Sequence, residues 1–166
     1  MNDLANECSK EGRRIEEDSL LSAKAHFEAA ALWGQFHLWL GIPTTVIAAI
    51  AGISALKDYP TLAGLLAMGV AALSALSTFL NPSGRQSAHL LAGNQYLALR
   101  NNARIFCSIN LALSGDDTRA QLIELSDRRN ELNAGSPQVS RWAFTRAREG
   151  IAAGEAEYRI DGAPKA

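Results

Sequence analysis

The sequence predicts an all-α membrane protein: a two-transmembrane helical hairpin with cytoplasmic helical extensions, assembled as a homo-oligomer. Two observations carry the hairpin. No charged side chain occurs between Glu28 and Lys57, a run of 28 residues, and none between Asp58 and Arg85, a further 26. The two runs contain LWLGIPTTVIAAIAGISAL and LAGLLAMGVAALSALSTFL, each near the roughly 20 residues that a hydrocarbon core of about 30 Å requires at 1.5 Å rise per residue. Only Lys57, Asp58, Tyr59 and Pro60 separate the predicted spans 31–56 and 61–81, so the chain crosses and returns at once.

The 166 residues are read as a single domain. Residues 1–30 form a cytoplasmic N-terminal helix, 31–56 the first span, 57–60 a periplasmic tip, 61–81 the second span and 85–160 cytoplasmic helices. The mean hydropathy of −0.04 conceals this partition, because all 33 charges fall outside the two uncharged runs. The charged opening MNDLANECSKEGRRIEED excludes a secretory leader there, and the first apolar stretch is too long for a leader's hydrophobic region.

Orientation follows from the basic residues. Arg13, Arg14 and Lys24 precede the first span and Arg85, Arg100 and Arg104 follow the second, against Lys57 alone at the tip. This asymmetry places both termini in the cytoplasm of a bacterial inner-membrane, multi-pass protein. Trp33, Phe36 and Trp39 at one end of the first span and Tyr59 at the other mark the headgroup layers.

The remaining chain reads as helix. Leu20, Ala23, Phe27 and Ala30 recur at helical spacing before the membrane, so the first span begins as a cytoplasmic helix. After the second span, Pro82 within NPSG breaks or kinks the chain. Ala92, Tyr96, Leu99, Ala103, Phe106, Asn110 and Leu113 then repeat at alternating four and three, a helix with one seam to bury. Ser114 to Asp117 opens a shorter helix through about Asn133, with its acids at the positive end. Gly135 ends it, and Ser136 with Pro137 starts the last helix as cap and first residue.

On a helical wheel the first span carries Trp39, Ile42, Val46, Ile50 and Ile53 opposite a stripe that includes Gly41, Thr44, Ala48, Ala51, Gly52 and Ala55. The second carries Leu62, Leu65, Leu66, Leu73, Leu76 and Leu80 opposite Ala63, Gly64, Ala67, Ala71, Ser74, Thr78 and Asn81. Large residues are expected to face lipid and small ones protein, since close approach replaces the hydrophobic drive between helices in a bilayer. Two uses of the stripes stay open. They satisfy each other within one hairpin, or Thr44, Ala48, Ala51, Ala55, Ala63, Ala67, Ala71, Ser74 and Thr78 line a pore that needs several copies to enclose water. Pro43 is read as a hinge in the first span and Pro82 as one after the second.

Several classes of chemistry find no residues. No Asp, Glu, Lys or Arg lies within the spans, which leaves a proton relay or charged filter without raw material. Cys8 and Cys107 have neither paired spacing nor a histidine cluster, so no metal and no disulfide framework is expected. No phosphate loop, HExxH or GxSxG occurs, and neither enzymatic activity nor a cofactor is predicted. A net charge of −1 without a basic run argues against nucleic acid. His26 and His37, eleven residues apart, share a face and form a candidate pH-sensitive stripe. Tyr96, Arg100 and Arg104, spaced by four, form a candidate surface for oligomer or regulator contact.

The GIP turn at Gly41 to Pro43, FLNP at Phe79 to Pro82, and the run of Tyr96, Leu99, Arg100 and Arg104, in this order around the hairpin, resemble a SLATT domain. This two-transmembrane effector module belongs to bacterial nucleotide-signalling and conflict systems, and the resemblance covers about residues 15–150. It implies a pore-forming inner-membrane effector of antiviral defence that permeabilises the membrane on activation, causing growth arrest or cell death by abortive infection. It also implies a trigger. With no sensor domain recognisable in the sequence, the candidates are a separately encoded sensor or regulator, a nucleotide messenger or self-assembly. The alternative is a non-conducting, membrane-anchored helical scaffold that recruits a cytoplasmic partner.

Overall fold

A computed structural model describes residues 2–110 and 117–156, and every regular element among them is helical. Helix α1 is Asn2–Leu56, α2 is Pro60–Leu80, α3 is Pro82–Ile105, and a π-helical segment follows over Phe106–Asn110. Helices α4, Thr118–Gly135, and α5, Arg141–Ala152, complete the order. The chain divides into two compact units, Met1–Ala29 with Ala88–Ala166 and Ala30–Ser87.

The unit of residues 30–87 is the predicted hairpin. Helix α1 continues without interruption through Pro43. The Thr44 and Thr45 hydroxyls donate to their own helix, to Leu40 O at 2.6 Å and Gly41 O at 2.9 Å. Pro43, the residue read as a hinge, lies inside this continuous helix. The turn is made by Asp58 at φ 57, and Pro60 supplies the pre-set φ that opens α2.

Helix α2 ends at Asn81, which adopts φ 44 and ψ 56. Asn tolerates this left-handed conformation better than most residues. Asn81 also serves the next helix: its Oδ1 accepts from Gly84 N–H at 3.1 Å while Pro82 opens α3. The break expected at Pro82 is thus a sharp, doubly capped junction, and Asn81 is a cap rather than a member of a packing stripe.

The less exposed positions of the hairpin correct the wheel. From residue 40 to the tip they are Leu40, Pro43, Thr44, Ile47, Ala51 and Ser54 on α1, and on α2 they are Ala63, Leu66, Val70, Leu73, Ser77 and Leu80; Pro43 apart, each set is spaced at alternating three and four. Such spacing is what a side-by-side helix pair with 3-4 packing presents at its seam. The seam mixes sizes: Thr44, Ala51, Ser54, Ala63 and Ser77 lie in it together with Leu40, Ile47, Leu66, Val70, Leu73 and Leu80. Leu66, Leu73 and Leu80, which the wheel set toward lipid, thus lie in the seam as well.

The other unit packs α1, α3, α4 and α5. The buried row of α1 is Cys8, Gly12, Ile15, Ser19, Ala23 and His26, so Ser19 rather than Leu20 takes the inward position. The α3 row is Ala92, Tyr96, Leu99, Ala103 and Phe106, as its periodicity predicts. Asn110 and Leu113 of that row, and Ser114 to Asp116 before α4, lie outside the residues whose side chains are described.

Ile15, Ala23, Tyr96, Leu99, Ala103 and Leu132 form the core, with Phe27, Leu97, Leu122 and Leu125 packed on it. Close approach of α1 and α3 needs glycine on both. A methyl at Gly93 would stand 2.7 Å from Phe27 Cε1, and one at Gly12 would stand 3.0 Å from Phe106 Cδ1.

The start of the last helix differs from the sequence expectation. Ser136 is extended, at φ −81 and ψ 148, and closes α4 through its N–H to Leu132 O. Helix α5 is opened by Ser140, whose Oγ accepts from Ala143 N at 3.3 Å. Starting there puts Ala143 and Ala147, four apart, on the buried face.

Candidate functional site

Two features stand out, one in each unit. In the hairpin, Gly64, Ala67, Ala71, Ser74 and Thr78 form a second row on α2, again at alternating three and four, and all five are exposed. This row is offset by one residue from the seam of Leu66, Val70, Leu73 and Ser77, so it is not consumed by the partner helix. On α1, Ala48 and Ala55 are likewise exposed. Of the nine candidate pore residues, Thr44, Ala51 and Ala63 lie in the hairpin seam and the other six remain on its outer surface.

The hydroxyls bend inward to their own helix. Thr44 Oγ1 donates to Leu40 O and Thr78 Oγ1 to Ser74 O at 2.9 Å. Such back-bonding leaves the oxygen lone pairs available and removes the penalty of an unpaired donor in an apolar medium.

The large residues are also open, and the apolar windows of both spans are almost wholly exposed. Trp39, Ile42, Val46, Ile50 and Ile53 on α1 and Leu62, Leu65, Met68, Leu76 and Phe79 on α2 present apolar surface outward. A soluble core helix would bury such residues. At the open end of the hairpin, Trp33 meets Phe36 edge-to-face at 6.0 Å, and the Arg85 guanidinium lies 4.9 Å from the Trp33 ring centroid. Arg85 Nε also donates to Leu80 O at 3.0 Å.

In the other unit, α1 and α3 bring together His26 and His89, 3% and 5% exposed. Their Nδ1 atoms are 3.0 Å apart, so one ring donates through Nδ1–H and the other accepts at a bare Nδ1. His26 is stacked on Tyr96 with centroids 5.4 Å apart, and Tyr96 Oη donates to Asn133 Oδ1 at 2.8 Å. The chain of contacts therefore joins α1, α3 and α4. Burial first, and the neighbouring His89 second, push the His26 pKa down to about 4, so the ring is neutral at pH 7.

The sequence reading did not find this pair. It set His26 beside His37 on one helix, whereas its partner lies across the hairpin. His26 stands 32 residues before Asp58 and His89 stands 31 after it, and a mirror drawn at the tip would have matched them.

Tyr96, Arg100 and Arg104 do share a face of α3, but Tyr96 and Arg100 are buried and Arg104 is half-buried. The structure spends Tyr96 inside the chain, on His26 and Asn133, and not on an outer contact. Tyr96→Phe keeps the stack and deletes the bond to Asn133; a loss of about 1 kcal/mol is expected from unfolding of the full chain in detergent micelles. Tyr96→Ala also leaves a cavity and should cost about 3 kcal/mol or more.

Among the described residues, no group of three or more His, Cys, Asp or Glu is placed to hold a metal. Cys8 and Cys107 are free thiols; Cys107 Sγ lies 3.7 Å from Ser9 O, and burial pushes its pKa up. No family model, curated protein or solved structure matches this chain.

Proposed function

We propose that the chain is a pore-forming effector of the bacterial inner membrane, with both termini in the cytoplasm, whose hairpins assemble in several copies and permeabilise the bilayer on activation. The activity is physical rather than enzymatic. Its biological setting is the one the SLATT resemblance implies: an antiviral conflict system in which depolarisation stops growth or kills the cell, triggered by a separate regulator or a nucleotide messenger. The observation that carries the assembly is the exposed row Gly64, Ala67, Ala71, Ser74 and Thr78, a small-residue helix face left over after the hairpin has packed. Small side chains at this spacing let helices of neighbouring copies approach, and a ring of copies is what a hairpin needs to enclose water.

Controlled expression in bacteria with a potential-sensitive dye tests this reading. Rapid depolarisation on induction is expected. An unchanged potential, with the protein inserted and its genomic neighbours co-expressed, would reject the pore.

The scaffold reading has its own supporting observation. A groove of about 1070 Å³ between α3 and α4 is lined by Leu99, Ile105, Phe106 and Ile123, with Asp127 and Glu131 among its acids. A basic amphipathic helix of a cytoplasmic partner fits that chemistry.

A further inference from the structure

The groove between α3 and α4 sets apolar surface beside acid. Ile105, Phe106 and Ile123 line it, and Ile105 and Ile123 are 44% and 50% exposed. Asp117, Glu124, Asp127 and Glu131 also line it, against Arg128 alone. Arg128 Nη1 meets Glu131 Oε2 at 2.8 Å, so Asp117, Glu124 and Asp127 remain as the net charge of the groove. Exposed apolar surface beside charge of one sign is the chemistry of a contact surface.

Helix α5 carries the complement. Arg141, Phe144 and Arg148 stand three and four apart and therefore share one side of the helix, and all three are exposed. The Arg148 guanidinium lies 5.4 Å from the Phe144 ring centroid, which holds charge and ring together. The one acid of α5, Glu149, lies on a different side, in a row with Trp142 and Arg146. The face of two arginines and one ring also stands clear of the buried Ala143 and Ala147.

These surfaces are not joined within one chain. Helix α5 is held on α1: Arg146 Nε meets Glu28 Oε2 at 3.7 Å, and Lys24 Nζ meets Glu155 Oε2, just past the end of α5, at 2.6 Å. Among the described residues, the lining of the groove includes none from α1 or α5. Both surfaces nevertheless belong to the same compact unit, Met1–Ala29 with Ala88–Ala166. A copy can therefore give its α5 face to one neighbour and receive that of another.

We propose that the α3–α4 groove receives the Arg141, Phe144 and Arg148 face of α5 from a second copy of this chain, with Phe144 against Ile105 and Ile123 and the arginines on Glu124 and Asp127. This rests on the reading that the chain assembles in several copies, and it assigns the groove to that assembly rather than to a cytoplasmic partner. Charge complementarity selects the occupant: acids left over in the groove meet arginines that no acid accompanies on their face. The surface given differs from the surface received, so the contact is heterologous, repeats from copy to copy and closes into a ring where the rotation allows.

The test reads self-association of the full-length chain in detergent micelles, as co-purification of two differently tagged copies. Two charge reversals are made at exposed residues: Arg141→Glu/Arg148→Glu on α5 and Glu124→Arg/Asp127→Arg in the groove. Each is expected to abolish self-association, because like charges then face each other. Mixing the two variants is expected to restore it, since the reversed α5 of one meets the reversed groove of the other and the remaining junction keeps the original pairing. Misfolded chains would not complement in this way.

If either variant still self-associates like the original, this contact is refuted while the multi-copy reading stands; loss in the groove variant alone assigns the groove to a different occupant. If both lose association, keep their helix content by circular dichroism and fail to complement, the two surfaces are not each other's partners. Should a reversal lower the helix content, Phe144→Ala removes the ring alone and must weaken co-purification; unchanged co-purification then refutes the contact. If the original chain does not self-associate, the multi-copy reading fails and the contact fails with it.

Discussion

Between pH 6.5 and pH 4 the helices packed around His26 are expected to lose up to about 3 kcal/mol of stability, against little change between pH 7 and pH 8. His26 has a folded pKa near 4 and an ordinary value of 6.5. In that interval the unfolded chain binds a proton that the folded chain refuses, so stability is complete above the ordinary value and drains as pH falls toward the folded one. Burial is the main cause, and a doubly protonated pair would set two Nδ1–H donors against each other across 3.0 Å.

Hydrogen bonds from Lys10 and Lys24 hold Glu7 and Glu155 below the usual carboxylate range. Thermal unfolding of the full chain in detergent, followed by circular dichroism at several pH values, should show a midpoint that falls across this interval. His26→Gln, whose amide keeps a polar partner for His89 and does not titrate, should flatten the dependence. A midpoint equally steep in the variant would assign the effect to another group.

The hairpin and its tip were legible because helices apolar enough to cross a membrane are written in long uncharged runs, and the turn residues Asp58 and Pro60 lie where the runs are interrupted. The α3 seam was legible for a similar reason, since Tyr96, Leu99, Ala103 and Phe106 are large or small apolar residues at strict spacing. The start of α5 was not. Ser136–Pro137 and Ser140 are competing start signals, and only packing of Ala143 and Ala147 selects the second.

The wheel failed on the hairpin because it sorted residues by size. The seam instead takes large and small residues together, so Leu66 and Leu73 are less exposed and Ala67 and Ala71 are left outside. The His26–His89 pair was hidden by distance along the chain. A histidine carries no periodic signal, and its role is set by what the fold brings beside it.

Enlarging that outer row should separate assembly from insertion. In the Ala67→Leu/Ala71→Leu variant both side chains grow on a face that the hairpin itself leaves exposed, so its internal seam is untouched. Leucine favours insertion at mid-membrane, and the variant should reach the bilayer as well as the original chain. Where a neighbouring copy approaches that row, each added side chain overfills the contact at a cost of about 1–3 kcal/mol. Over a ring of copies the penalty repeats at every interface.

The expected outcome is loss of depolarisation on induction together with loss of cross-linked oligomers, at equal membrane abundance. Met68→Leu, on an exposed position outside the row, should leave both intact. Depolarisation retained by the double variant would move the copy contact off this face of α2. Oligomers retained without depolarisation would place the row in a lumen, narrowed by the new side chains, and not between neighbours.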